Sequence, residues 1–166
     1  MDGEGNDLLV RCTIDRVAIQ DVHAAYADVI NRRAFAELAD LFLPECEVVI
    51  DARRGDPIVA AGPDGIGSFV DAAIARYDFF EFVILSVRVW VDGSDDATSR
   101  LYMCEVRHDR ETRERSQAFG VYHDSFRRVD GRWWFAARRY HSLARTAASG
   151  DGGLDVFDFP GSRSID

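Results

Sequence analysis

Apolar residues in the first half of the chain recur at steps of three and four, which is the spacing of one face of an α-helix. From about Ile14 to Arg33 they form one stripe: Ile19, Val22, Tyr26, Val29 and Ile30. The same spacing predicts a short second helix from Phe35 to Phe42, and a third that opens at Gly62-Pro63-Asp64. Residues 46–51 and 58–60 are predicted to be short strands, and residues 1–12 a flexible leader.

After Asp78 the pattern changes to segments rich in aromatic and β-branched residues, which predict strands. The four segments are Phe79–Val91, Thr98–His108, Gln117–Val129 and Arg132–Leu143. Asp92-Gly93 and Asp130-Gly131 lie between such segments, and Asp-Gly is a strong signal for a tight hairpin turn. The order of elements predicts an α+β fold with three helices packed on one face of a strongly curved, mostly antiparallel sheet.

The turn at Asp130-Gly131 also predicts a register, with Val129 opposite Arg132 and each further pair keeping the same summed number. That register places eight residues on one face: Gly120, Tyr122, Asp124, Phe126, Phe135, Ala137, Arg139 and His141. If this face is concave, Tyr122, Asp124, Arg139 and His141 project into an apolar pocket. Asp124 and Arg139 could instead form a structural salt bridge, and His123 falls on the outer face.

Gly120 has no side chain, which leaves room either for a ligand or for a neighbouring side chain such as Trp133. Near the end of the chain, Val156–Pro160 is apolar enough to dock over a pocket mouth or against a partner subunit.

The charge balance narrows the possible partners. The chain carries 20 basic and 29 acidic residues and a net charge of −9, which disfavours nucleic acid and anionic membranes. All the basic residues are arginine, so Schiff-base chemistry and a phosphate-binding loop with lysine are excluded. No apolar run approaches the length of a membrane span, and the acidic start is unlike a signal peptide. We therefore expect a cytoplasmic protein.

The cysteines and histidines show no metal-binding spacing. Cys12, Cys46 and Cys104 are scattered, which predicts free and mostly buried thiols rather than a zinc site. His23 is expected to be exposed on the first helix. We expect neither a metal nor another cofactor.

Several short motifs in a fixed order resemble the SnoaL-like domain of the nuclear transport factor 2-like superfamily. The motifs are Asp15-Arg16-x-x-Ile19-x-Asp21, Phe35-x-x-Leu38-x-x-Leu41-Phe42, Gly62-Pro63-x-Gly65-Ile66, and Gly120-x-Tyr122-x-Asp124-x-Phe126 followed by Asp130-Gly131-Arg132-Trp133. The resemblance implies a cone-shaped α+β barrel with a deep apolar pocket. The resemblance also predicts a domain at residues 13–146, followed by a tail at residues 147–166. Family members often dimerise through the outer sheet face, so a homodimer is expected.

The resemblance also implies where catalytic residues would lie. Members similar to scytalone dehydratase and hexachlorocyclohexane dehydrochlorinase use an Asp after the first helix and a His on the first long strand. The matching positions are Asn31 and about Phe82, so that pair is broken here. Tyr26 matches a tyrosine of ketosteroid isomerases, but the acidic catalytic residues of those enzymes are not all present in this sequence. His108 matches a further histidine of the dehydratases.

These observations favour an enzyme with His108 as proton acceptor and Tyr26 or Tyr122 as hydrogen-bond donor. The predicted ligand-binding residues are Asn31, Tyr102, Tyr122, Asp124, Arg139 and His141. The substrate would be a small, apolar, cyclic molecule of polyketide or steroid type, isomerised, cyclised or dehydrated without a cofactor. In the alternative, His108 is solvated, His141 makes a structural hydrogen bond, and the domain only binds a ligand or assembles, for example as a dioxygenase small subunit.

Overall fold

The computed structural model describes residues 2–147 and 152–160. Its helices are α1 (Asp2–Arg32), a 3₁₀ helix (Phe35–Asp40) and α2 (Gly62–Ile74). Its strands are β1 (Phe42–Asp51), β2 (Ile58–Ala61), β3 (Tyr77–Val91), β4 (Asp96–Asp109), β5 (Arg115–Val129), β6 (Arg132–Thr146) and β7 (Leu154–Val156). The predicted α+β order of three helices and a long antiparallel meander is confirmed.

Helix α1 is longer at its start than its apolar stripe predicts. The stretch expected to be a loose leader is helical from Asp2 onwards. Thr13 lies inside this helix, where its hydroxyl donates to the carbonyl oxygen of Leu9 at 2.8 Å, one turn back. Leu8, Leu9 and Val10 are exposed, so this first part of α1 extends beyond the packed core.

The sheet has seven strands, in the order β2-β1-β6-β5-β4-β3, with β7 added to β6. Every pairing is antiparallel except that between β1 and β6. Side chains on the concave face of the curved sheet form the core with α1 and α2. Members of that core with no more than 1% of their surface exposed are Ile19, Leu38, Phe42, Cys46, Leu101, Met103, Phe126 and Phe135.

Polar contacts fasten both ends of the packed part of α1 to the sheet. Buried Asp15 accepts a hydrogen bond from Trp133 Nε1 at 3.2 Å and forms an ion pair with Arg128 at 2.6 Å. At the other end, the Asn31 amide pairs with both backbone groups of Phe82 on β3. The helix is therefore held across the open side of the curved sheet, where it closes a cavity.

The β5–β6 hairpin starts in the predicted register and then departs from it. Val129 lies opposite Arg132 and Phe126 opposite Phe135, as predicted, but Ser125 pairs with Ala137. Ala136 is thus the extra residue of a β-bulge, which reverses the facing of the side chains that follow it, up to a second register shift at Leu143. The prediction that Arg139 and His141 face inward is therefore wrong.

None of the helices in the described part of the chain has the length and apolar character needed to span a membrane. Cys46 and Cys104 are buried and Cys12 is partly buried, and all three are free thiols, as predicted.

Candidate functional site

A cavity of about 240 Å³ lies between the concave face of the sheet and helices α1 and α2. Much of its wall is apolar: Ile30, Ile50, Phe69, Val70, Phe80 and Phe82 are examples. Its polar wall residues are Tyr26, Arg54, Tyr77, Glu105, Arg107, Tyr122, Tyr140, Ser142 and Arg145. Tyr26 and Tyr122, two of the predicted site residues, are among them.

Three buried tyrosines supply hydroxyl groups to this wall. Burial raises the pKa of Tyr26, raises that of Tyr122 well above its usual value, and raises that of Tyr140 to about 12. All three therefore remain neutral near pH 7 and can donate hydrogen bonds. The negative charge of Glu105 acts in the same direction on each of them.

Gly120 makes room for one of these tyrosines. A Cβ atom at this position would lie 2.1 Å from Cε2 and 2.7 Å from the hydroxyl oxygen of Tyr140. The sequence left open whether Gly120 makes room for a ligand or for a neighbouring side chain. In the structure it makes room for a side chain, and that side chain is Tyr140 rather than Trp133.

Glu105 is the single carboxylate among the described residues that line the cavity. Its Oε2 accepts a hydrogen bond from Arg107 Nε at 2.9 Å, and the two side chains, both on β4, form an ion pair. Both are partly buried, with side chains 19% and 24% exposed. The arginine thus fixes the position of a carboxylate that a ligand in the cavity can reach.

Beneath the tyrosines lies a fully buried polar network. Arg138 Nε donates to Asp124 Oδ1 at 2.6 Å, and Ser99 Oγ donates to Asp124 Oδ2 at 3.2 Å. The Arg138 guanidinium lies 4.3 Å from the ring centre of Tyr26 and 4.1 Å from that of Tyr122. Asp124 is inside, as predicted, but its partner is Arg138 and neither residue lines the cavity.

His23 belongs to the same network. Its Nε2 lies 2.9 Å from Ser99 Oγ, and the residue is 1% exposed, so the prediction of an exposed side chain is wrong. His23 lies four residues after Ile19 and three before Tyr26, which places it on the apolar stripe. Burial lowers its pKa well below the usual value, and the charge of Arg138 lowers it further.

Arg139 and His141 lie on the outer face of the sheet, together with His123. The His123 and His141 rings meet edge to face at 6.0 Å, and Arg100 Nε lies 3.3 Å from His123 Nε2. Burial, followed by the charge of Arg100, lowers the pKa of His123 to about 4. His141 Nδ1 is 3.5 Å from Asp51 Oδ2, and burial lowers its pKa despite that carboxylate. His123 lies on the outer face, as predicted, although it is only 2% exposed.

His108 and Tyr102 also lie on the outer face, so the prediction that they line the pocket is wrong. Strand β4 pairs with β5 so that Leu101 lies opposite Tyr122 and Met103 opposite Gly120, which turns the odd-numbered residues of β4 inward. His108 Nδ1 instead lies 2.5 Å from Asp78 Oδ1, at the end of the sheet. Tyr102 stacks on Phe159, with ring centres 6.2 Å apart.

Asn31 does not line the cavity. Its Nδ2 donates to the Phe82 carbonyl oxygen at 3.0 Å, and its Oδ1 accepts from the Phe82 amide at 2.7 Å. The two positions where the resemblance implied an Asp–His pair are thus neighbours in space, but they are joined by a structural hydrogen-bonded ring.

The end of the described chain docks on its own sheet. β7 pairs with β6, the Phe157 amide donates to the Leu143 carbonyl oxygen at 2.9 Å, and Phe159 covers Tyr102. The guanidinium of Arg145, a cavity residue, lies 4.7 Å from the ring centre of Phe157. The predicted docking of Val156–Pro160 thus takes place against the same chain.

Sequence reasoning missed the cavity residues of β4 and the end of β6. They are Glu105, Arg107, Tyr140, Ser142 and Arg145. On β4 both faces are similarly apolar, so the alternation of residue types did not show which face of the strand turns towards the cavity. On β6 the bulge at Ala136 reversed the facing of Tyr140 and Ser142, whereas Arg145 lies beyond the predicted end of the strand and after a second register shift.

The model of the SnoaL-like domain matches residues 12–139, which is more than half of the chain. The chain belongs to the SnoaL-like domain family. No match was found among curated proteins.

Solved structures of this family's fold resemble the chain at low identity. A putative scytalone dehydratase from Novosphingobium aromaticivorans DSM 12444 has 20% identity and a TM-score of 0.73, over 83% of this chain and 90% of that one. Hexachlorocyclohexane dehydrochlorinase LinA-type3 from Novosphingobium barchaimii LL02 has 19% identity and a TM-score of 0.73, over 91% of this chain and 99% of that one. At such identity the likeness establishes the fold, here the nuclear transport factor 2-like cone, and function depends on the site itself.

Proposed function

We propose that the cavity binds a small, largely apolar cyclic molecule and isomerises or dehydrates it by acid–base chemistry without a cofactor. The observation that carries this proposal is the presence of one positioned carboxylate, Glu105, in an apolar cavity lined by neutral tyrosine hydroxyls. The similarity to the putative scytalone dehydratase and to LinA supports the reaction class. Glu105 takes the role that the sequence suggested for His108.

The proposed step begins when the Glu105 carboxylate removes a proton from the carbon next to a ligand carbonyl. The C–H bond breaks, its electron pair forms the C=C bond of an enolate, and the negative charge moves to the carbonyl oxygen. In an isomerisation the Glu105 carboxylic acid returns the proton to another carbon. In a dehydration the β C–O bond breaks, and the departing hydroxide takes that proton to leave as water.

The tyrosines would stabilise the developing oxyanion. Hydrogen-bond donors fixed in a site shielded from water stabilise such a charge strongly, because they need not reorganise during the reaction. Tyr26 and Tyr122 lie over the Arg138 guanidinium, whose charge opposes the rise in their pKa values and strengthens their hydroxyls as donors. Arg138 itself would act as a positioning residue.

Hydrogen–deuterium exchange tests the proposal without knowledge of the natural substrate. The protein is incubated in D₂O with a panel of cyclic ketones and enones, and loss of the proton next to the carbonyl is followed by NMR. We expect exchange with the wild type and a loss of about 100-fold or more in Glu105→Gln, which is typical for removal of a general base. His108→Ala, on the outer face, serves as the control and should exchange normally.

A non-catalytic binding protein is the second candidate. The observation that favours it is the Asn31–Phe82 pairing, which occupies the positions of the family's Asp–His pair with groups that cannot transfer protons. Ligand binding by the wild type without exchange of any panel compound would support this reading over catalysis. The homodimer and the cytoplasmic location stay predictions, and sedimentation velocity would test the former.

A further inference from the structure

The positive charge on the cavity wall exceeds the negative charge. Glu105 is neutralised by Arg107, which leaves Arg54 and Arg145 without an ion pair among the described residues, although the charge of Asp155, opposite Arg145 on β7, attracts Arg145 from a greater distance. Burying a charge without a partner is costly, so the buried Arg145 requires an explanation.

Arg145 is the more informative of the two. The residue is 9% exposed, and its Nε has no hydrogen-bond partner in the described part of the chain. The guanidinium is nevertheless held in place, because one terminal nitrogen donates to the Ala52 carbonyl oxygen and the group lies 4.7 Å from the centre of the Phe157 ring. It is therefore a fixed cation at the cavity wall.

Arg54 lies in the turn between β1 and β2 and lines the same cavity. The charge of Arg54, after burial, is a cause of the lowered pKa of Arg145, which indicates that the two guanidinium groups repel each other. An anion bound near both would relieve that repulsion. Guanidinium groups suit carboxylates, because the planar fork of donors matches two carboxylate oxygens.

We propose that the ligand of this cavity carries a carboxylate, which Arg145 and Arg54 bind, on a ring that also carries the reacting ketone. This inference rests on the proposed function and narrows its substrate class to small cyclic keto acids. A volume of about 240 Å³ fits this size, because a dry cavity of about 150 Å³ holds benzene and drug-sized sites begin near 300 Å³. One ring or two fused rings with a carboxylate would fill it.

Calorimetric binding with matched probes tests the carboxylate. The probes are 2-naphthoate and its neutral isostere 2-naphthamide, measured against the wild type, Arg145→Gln, Arg54→Gln and Arg139→Gln. We expect the wild type to bind the naphthoate at least 10-fold more tightly than the amide. Arg145→Gln should lose this preference and Arg54→Gln should reduce it. Arg139→Gln is the matched control, because Arg139 also has a buried Nε without a partner but lies on the outer face.

The exchange assay separates the two proposals. 4-Oxocyclohexanecarboxylate should exchange its ring protons faster than 4-oxocyclohexanecarboxamide in the wild type, and equally slowly in Arg145→Gln. Equal binding of the naphthoate and the amide, or an unchanged preference in both Arg145→Gln and Arg54→Gln, would overturn the carboxylate site. If exchange of neutral ketones still depended on Glu105 in that case, the proposed function would stand alone. Arg54 lies in an exposed turn, so its variant keeps the test valid if Arg145→Gln fails to fold.

Discussion

Arg138 and Asp124 lie directly opposite each other on β6 and β5 and form an ion pair of 2.6 Å between side chains that are 1% and 0% exposed. The pair sits between the cavity tyrosines and the core aromatics, and Phe135 contributes a third ring 4.4 Å from the guanidinium. Both terminal guanidinium nitrogens lack hydrogen-bond partners in the described part of the chain. Asp124 and the aromatic faces therefore carry most of the compensation for burying this charge.

Arg138→Gln is expected to lower the free energy of unfolding by about 3–5 kcal/mol, because it leaves the Asp124 carboxylate buried without its partner. Urea denaturation followed by tryptophan fluorescence measures the change. Arg139→Gln is the control, since the next residue points to the outer face and makes no such pair. Equal losses in the two variants would contradict the inward placement of Arg138.

Gly120→Ala is expected to destabilise the fold by about 1–3 kcal/mol, a typical cost of adding atoms to a packed core. The new Cβ would lie 2.1 Å from the Tyr140 ring, which must then move towards the cavity. Ligand affinity should fall as well, because Tyr140 lines that cavity. Gly93→Ala is the control, since its Cβ would meet no atom within 4 Å. Unaltered stability and binding in Gly120→Ala would show that Tyr140 is not held against Gly120.

The sequence predicted the helices and the meander because these depend on local spacing and turn residues. Asp130-Gly131 has positive φ angles of 51° and 79°, as the predicted tight turn requires. The register beyond it was not predictable, because β6 contains Trp133-Trp134, Ala136-Ala137 and Arg138-Arg139 in succession. Each pair offers the same side chain to both faces, so either phase of the strand fits the hydrophobic pattern.

The candidate site was predicted in part for the same reason. Tyr26 was predicted from the family resemblance. Tyr122 was predicted because it lies on β5, which keeps its phase since the extra residue of the bulge belongs to β6. Glu105 was missed because the five-residue connection between β4 and β5, residues 110–114, sets which face of β4 turns inward. A connection one residue longer or shorter would have exchanged the two faces, and composition does not reveal its length.

Asn31→Asp is expected to destabilise the fold by about 1 kcal/mol at pH 7, because the part-buried Phe82 carbonyl oxygen would lose its hydrogen-bond donor. Nδ2 now donates to the Phe82 carbonyl oxygen, and a carboxylate would place a second acceptor there. Chemical denaturation measures the loss, which should become smaller at acid pH when the carboxyl group is protonated. Asp21→Asn, an exposed change on the same helix, is the control. A fully stable Asn31→Asp would indicate that α1 is not fastened to β3 through this amide.

Acid is expected to destabilise the protein through the outer-face histidines. The pKa of His123 is about 4 in the folded protein, because burial and then Arg100 disfavour its charged form, against an ordinary value of 6.5. The unfolded chain therefore binds more protons between these values, so the stability from a neutral His123 is complete above about pH 6.5 and is lost as the pH falls towards 4. The loss attributable to His123 should reach about 2–3 kcal/mol by pH 4.5.

Urea denaturation at a series of pH values from 7.5 to 4.5 measures this loss, with His123→Gln as the comparison. The variant should show a shallower decline than the wild type, because glutamine cannot take up the proton. An NMR titration of the His123 ring provides an independent value, and a midpoint near 6.5 would contradict the prediction. His141 adds to the same trend, since burial lowers its pKa too, so the variant should reduce the decline without abolishing it.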